Sequence, residues 1–297
     1  MSVNAKCGRS DCGRGVGFVG LLLVASLAQV SAGCSSKAAA ELLISPEQEN
    51  MLGAELKAEL EKGTAEMPAV KYLQQPADLR AYILGLANKV VALGRAQAPA
   101  FTWNVEVIDD PATVNAFATP GGYLYVYTGL LAAADNEAEV IGVMGHEVGH
   151  VLARHYARQL VQTYTVQGLV SIALGQNAGE LAKLGAGLLT QGYLLQHSRE
   201  DETEADEYGA RLTSQAGYDP NGLVTFFQKL GAMQAGTPAV FKYVMGHPLA
   251  ADRQQHIMEL IEREKLPRGA TNAEAFSAMK AKLPALPTAM PDAGAGG

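Results

Sequence analysis

The residues best placed to do chemistry are His146-Glu147-Val148-Gly149-His150. On a helix, His146 and His150 sit one turn apart on the same face, so two imidazoles can share one metal ion. Glu147 is rotated by about 100° from His146 and can reach a water on that metal without ligating it. A metal-acidified water with a carboxylate to take its proton is the chemistry of peptide hydrolysis. The flanking Ile141, Val143, Met144, Val148, Val151 and Leu152 are apolar, which puts this helix at the centre of the fold. The chain has only six histidines, and two of them are here.

Zinc bound by two histidines needs a third protein ligand. The metzincin pattern places Gly at 153 and His at 156, where this chain has Ala153 and Tyr156, so that subclass is excluded. His155 lies off the shared face and reads as a structural or surface histidine. Downstream, Glu200-Asp201-Glu202-Thr203-Glu204-Ala205-Asp206 offers several carboxylates. Glu200, Asp201 and Glu204 read as a solvated face. Glu202 and Asp206 are four apart, so one can bind metal while the other holds an imidazole N–H. Spacing alone leaves the register open between Glu200, Glu202 and Glu204.

Several elements must position these groups. A helix capped by Asp135 and running to about Arg158 carries the motif. Upstream, Ser45-Pro46-Glu47-Gln48 has the form of a capping box opening a helix to about Glu61. Leu79, Ile83, Leu86, Val90 and Leu93 predict a second helix from Pro76. Alternation over Phe101–Ile108, then Val114–Ala118 and Tyr123–Tyr127 around Pro120-Gly121-Gly122, predicts three strands. Further helices are expected at 180–196, 199–215, 220–234, 249–264 and 272–281. Residues 161–179 are uncharged, but Gln162, Thr163, Thr165, Gln167, Gln176 and Asn177 make them too polar for a membrane span. The expected fold is α+β and predominantly helical, with a small antiparallel or mixed sheet beside the active-site helix.

The ends of the chain read differently. Lys6, Arg9 and Arg14 precede the uncharged, mostly apolar run Val16–Val30, then Ser31-Ala32-Gly33-Cys34. That pattern describes a signal peptide over 1–33. Its exit resembles a bacterial lipoprotein signal, with lipid on Cys34, although Ser31 stands where Leu is usual; plain cleavage near Ala32 is the alternative. Residues 34–44 read as a tether, 45–282 as one domain, and 283–297 as a disordered Pro/Ala/Gly tail. Cys7 and Cys12 leave with the signal, so no disulfide staples the exported domain. The full 297-residue chain is 48% apolar with a net charge of −7, which suits a packed core and argues against nucleic-acid binding.

The chain resembles the M48 family of zinc metallopeptidases, a gluzincin group, over about residues 45–265. The resemblance rests on Asn115-Ala116-Phe117 with Pro120-Gly121-Gly122-Tyr123, on His146–His155 with Arg154, and on Ser198-Arg199 before Glu202-x-x-Ala205-Asp206. His247-Pro248 followed by Arg253 completes it. It implies the gluzincin-like domain over 45–282, one Zn²⁺ per chain, and His146, His150 and Glu202 as metal ligands. Glu147 is implied as general base, and Asp206 as the partner orienting His146 or a proton donor. His247 is a fourth ligand, a stabiliser of the tetrahedral intermediate or a helix-start histidine. Arg253 is an oxyanion stabiliser or a structural ion pair. Gly121–Tyr127 is the expected edge strand for an extended substrate, and Asn115 a turn or sheet anchor.

Together these readings predict an endopeptidase of misfolded or misassembled cell-envelope proteins, acting on protein or peptide substrates. It would be an outer-membrane lipoprotein facing the periplasm, or a soluble periplasmic protein. The competing reading is a zinc-stabilised, chaperone-like assembly factor with little or no proteolysis.

Overall fold

The computed structural model describes residues 40, 43–63, 68–163, 197–234, 243, 246–248 and 251–283. The expected signal peptide, the Cys34 anchor, most of the tether, the helices placed at 164–196 and nearly all of the C-terminal tail lie outside these residues. The first long helix, α1 (Pro46–Lys62), starts as its sequence requires. Ser45 Oγ accepts from the Gln48 N–H while Gln48 Oε1 accepts from the Ser45 N–H at 2.7 Å. This reciprocal pair satisfies two backbone donors that an α-helix leaves free. Helix α2 (Ala77–Gln97) buries Leu79, Ile83, Leu86 and Val90, the residues that announced it.

Three strands follow: β1 (Asn104–Ile108), β2 (Ala116–Thr119) and β3 (Tyr123–Tyr127). The sheet order is β1-β3-β2, with β1 parallel and β2 antiparallel to β3, so the sheet is mixed. β1 begins later than the alternation implied, because Trp103 takes a positive φ of 51° and its indole donates to Ala98 O. Asn115 anchors the sheet, its carbonyl accepting from the Tyr127 N–H at 3.1 Å.

One expectation is overturned here. β3 was expected to be an edge strand that receives substrate, but it is the central strand, hydrogen-bonded on both sides. Its backbone groups are spent within the sheet, so no further chain can pair along it. The edge is β2. Since Asn115 faces β3, the alternate residues Ala116 and Ala118 turn their backbone groups outward, and the Ala118 carbonyl accepts the Tyr156 hydroxyl.

A short helix α3 (Thr128–Ala133) leads to α4 (Glu137–Leu152), which carries His146 and His150. Two expectations about α4 are corrected. Its N-cap is Asn136, whose Oδ1 accepts from the Glu139 N–H at 3.0 Å, rather than Asp135. It also stops at Leu152 instead of continuing to Arg158. Arg154 adopts φ +57°, which breaks the i→i−4 ladder. Glu49 from α1 holds the Arg154 guanidinium at 2.7 Å, and α5 (His155–Thr163) sets off in a new direction.

The remaining described helices are α6 (Arg199–Gln215), α7 (Asn221–Gln234), α8 (Ala251–Glu264) and α9 (Ala273–Lys280). No helix among the described residues is long and apolar enough to cross a membrane. α6 packs against α4, and the approach is close because glycines line it. A Cβ on Gly149 would meet Tyr208 Cβ at 2.7 Å and Ala205 O at 2.9 Å. Gly149→Ala is therefore expected to destabilise the protein by about 1–3 kcal/mol, as other overpacked cores do. Urea denaturation of the variant beside wild type measures this, and an unchanged midpoint would contradict it.

Candidate metal centre

α4 and α6 lie side by side, so the acids of α6 face the histidines of α4. The pairing places Glu202 and Asp206, the two positions four apart, against His150 and His146. His146 Nε2 and His150 Nε2 are 3.0 Å apart. Glu202 Oε2 is 3.6 Å from the first, and Oε1 is 3.4 Å from the second. All three side chains are buried. A tetrahedral shell with metal–nitrogen distances of about 2.0–2.1 Å has ligand-to-ligand edges of about 3.3 Å. The three observed separations straddle that value.

The donor set fits zinc chemically as well. Asp206 Oδ1 lies 2.9 Å from His146 Nδ1, within ion-pair reach though not aligned as a hydrogen bond, so the carboxylate sits on the side of the ring away from Nε2. Burial pushes the His150 imidazole well below its ordinary range, which favours its neutral form. Burial alone would raise the Glu202 carboxyl, but the His247, His150 and His146 side chains outweigh it and hold Glu202 well below the usual carboxylate range. Two imidazoles and one carboxylate make a set that can bind a divalent cation.

His247 joins this cluster from a distant part of the chain. Its Nδ1 lies 3.2 Å from His146 Nε2 and 3.0 Å from Glu202 Oε1. Its Nε2 is 3.5 Å from Glu147 Oε1. Ring stacking on the buried Tyr243, with centroids 4.8 Å apart, and a bond from the His247 N–H to Tyr243 O hold it there. Among the described residues, His146, His150, Glu202 and His247 form a group whose ligand atoms lie within 4.8 Å of one another.

Glu147 stands beside this group. It is fully buried, and neither carboxylate oxygen has a hydrogen-bond partner among the described residues. Burial raises its pKa above the ordinary carboxylate value. A buried carboxylate left without donors is costly unless something else uses it.

Residues 73–261 match the model of peptidase family M48. The chain belongs to peptidase family M48. It is 34% identical to the mitochondrial metalloendopeptidase OMA1 of Schizosaccharomyces pombe over 189 residues, 63% of this chain and 54% of the relative. The chain thus spans about half the length of that protein. It is 32% identical to metalloprotease LoiP of Escherichia coli over 258 residues, covering 80% of this chain and 95% of the relative. Metalloprotease YcaL of Escherichia coli is 30% identical over 218 residues, with 71% and 82% covered.

Around the centre of this M48 chain, Arg253 and Asp206 are tied to each other. Arg253, on α8, gives Nε and Nη2 to the two Asp206 oxygens at 2.7 Å each, and Nη1 to Glu202 Oε2 at 2.7 Å. It also donates to Pro248 O at 3.0 Å. With every nitrogen engaged, the guanidinium has the geometry of a structural ion pair. Asp206, held on both oxygens by Arg253, is placed to orient His146.

The acid run is not a uniformly solvated face, contrary to expectation. Glu204 Oε2 pairs with Arg158 Nη1 at 2.8 Å, and Asp201 Oδ1 lies 3.5 Å from the same atom. Both acids also face His155 Nε2, at 3.3 Å from Asp201 and 3.4 Å from Glu204. Only Glu200 among the three is exposed.

Sequence reasoning missed two histidines. His155 is buried with its Nδ1 2.8 Å from His150 Nδ1, because the turn at Arg154 folds it back beside α4. His197 stacks on His150 with ring centroids 3.9 Å apart. The available signal was scarcity: five of the chain's six histidines converge here, and only His256 lies elsewhere, against Glu207.

Proposed function

We propose that this chain is a zinc-dependent endopeptidase that hydrolyses internal peptide bonds of misfolded or misassembled cell-envelope proteins. The observation that carries the reading is the buried donor set of His146, His150 and Glu202 with the fully buried Glu147 carboxylate beside it. His146 Nε2, His150 Nε2 and a Glu202 oxygen would hold the ion. Zinc so held supplies Lewis-acid chemistry, acidifying water and polarising a carbonyl. Glu147 would take the proton from the attacking water and deliver it to the departing amine.

The other side chains serve this centre. Asp206 orients His146, and Arg253 locks Asp206 and Glu202 against each other. His247 sits where it can donate a fourth ligand atom or, on moving aside, bond the oxygen of the tetrahedral intermediate. Membership of M48 and similarity to proteins named as metalloproteases support the activity. The envelope as the site of action rests on the signal-like start and Cys34, through which a lipid tethers the peptidase domain of residues 45–282 to the outer membrane.

Metal removal tests the chemistry. Protein stripped by a chelator, and shown metal-free by elemental analysis, is expected to leave casein intact; one zinc per chain restores cleavage. Undiminished cleavage by verified metal-free protein would sink the proposal.

A further inference from the structure

The way His150 is held differs from the way His146 is held, and the difference assigns a role to His155. A zinc-ligating histidine nearly always gives its second ring N–H to a carboxylate, a carbonyl or a water, which fixes its tautomer and orientation. His146 has the Asp206 carboxylate beside its Nδ1, 2.9 Å away though not aligned as a hydrogen bond. At the Nδ1 of His150 the nearest partner among the described residues is another imidazole, His155 Nδ1, at 2.8 Å.

Two facing Nδ1 atoms bond only if one carries a proton and the other does not. If the Nε2 lone pair of His150 serves the metal, the proton of neutral His150 sits on Nδ1, and His155 Nδ1 must accept it. The proton of His155 is then on Nε2, where Asp201 Oδ1 and Glu204 Oε2 wait at 3.3 and 3.4 Å. Arg158, 2.8 Å from Glu204, steadies those acids from the far side. Every proton along the line has one place to go. Hydrogen bonds in such a chain polarise one another.

We propose that His155 is a positioning residue, linking the Asp201–Glu204 pair of α6 to the metal ligand His150 and setting its tautomer. The inference rests on the reading of His150 as a zinc ligand. A second metal held by His150, His155 and His197, whose ring nitrogens also cluster, is the rival use of these residues. It would require His150 to lose both ring protons, and it would place a cation close to Arg158.

The test measures zinc affinity by chelator competition, and the visible spectrum of the cobalt-substituted protein, in full-length wild type and variants. His155→Phe is expected to weaken zinc by about 10–100-fold and to shift the cobalt bands. His155→Gln, which can accept from His150 and donate to the acids, is expected to recover most of the affinity and the wild-type spectrum. If His155→Phe does not fold, the surface-side double variant Asp201→Asn with Glu204→Gln reads the same line and is expected to shift the cobalt bands too. Wild-type protein that binds no zinc would refute the reading of the centre itself. Zinc-binding wild type with affinity and spectrum unchanged in the His155 or Asp201–Glu204 variants would overturn this inference alone, as would two metals per chain lost together with His155.

Discussion

Glu147→Gln is expected to bind one zinc per chain as wild type does and to lose proteolysis by about 10²–10⁴-fold, the usual contribution of a positioned acid–base group. The two outcomes separate because Glu147 is outside the donor group formed by His146, His150, Glu202 and His247. Its carboxylate is nearly isosteric with the amide that replaces it, so the cavity is preserved. What disappears is a buried carboxylate acceptor whose pKa burial raises. Elemental analysis beside timed casein cleavage decides the matter. Near-wild-type turnover in the zinc-loaded variant would remove Glu147 from the mechanism. The same protein separates hydrolysis from an assembly role: full support of envelope assembly in cells by inactive Glu147→Gln would rank binding above cleavage.

Glu202→Ala should have the largest effect on the metal. Changing a residue that merely orients a ligand costs about 10–100-fold in affinity. Loss of a ligand should exceed that range, and Glu202→Ala is expected to be isolated metal-free and inactive. Asp206→Asn supplies the comparison: it also faces Arg253 and touches His146, but offers no atom to the donor group, so it should weaken zinc only within the smaller range. Chelator competition on both variants checks the ordering. Wild-type zinc affinity in Glu202→Ala would hand the ligand role to another acid. Geometry argues against both neighbours, because Glu200 is exposed and Glu204 is committed to Arg158 and His155.

The stretches readable in advance were those whose geometry is local. The capping box at Ser45, the apolar period of α2 and the one-turn spacing of His146 and His150 each depend on residues within about four of one another. Their elements were expected to within a few residues. Errors arose where a local signal met a distant partner. The hydrophobic run of α4 gives no hint that it ends at Leu152, because Arg154 is drawn into the left-handed region against Glu49, 105 positions away. His155 was consequently placed on the wrong side of its own helix. Likewise, alternation in Tyr123–Tyr127 marks a strand but not its neighbours, and the parallel pairing with β1 that makes β3 central is a property of the whole chain's path.

By itself, then, the sequence determined a helix presenting two imidazoles and a carboxylate, and a second helix with two acids one turn apart. Helical geometry is set by neighbours along the chain, so residue spacing suffices. The tertiary structure decided which acid meets which histidine, that Arg253 is consumed by Asp206 and Glu202, and that His155, His197 and His247 converge on the same few ångströms. Those relations depend on how closely α4 and α6 can approach, which Gly149 and its neighbours permit, and on where the chain turns between helices. Contacts between residues 50 to 100 positions apart carry no period that a single sequence displays.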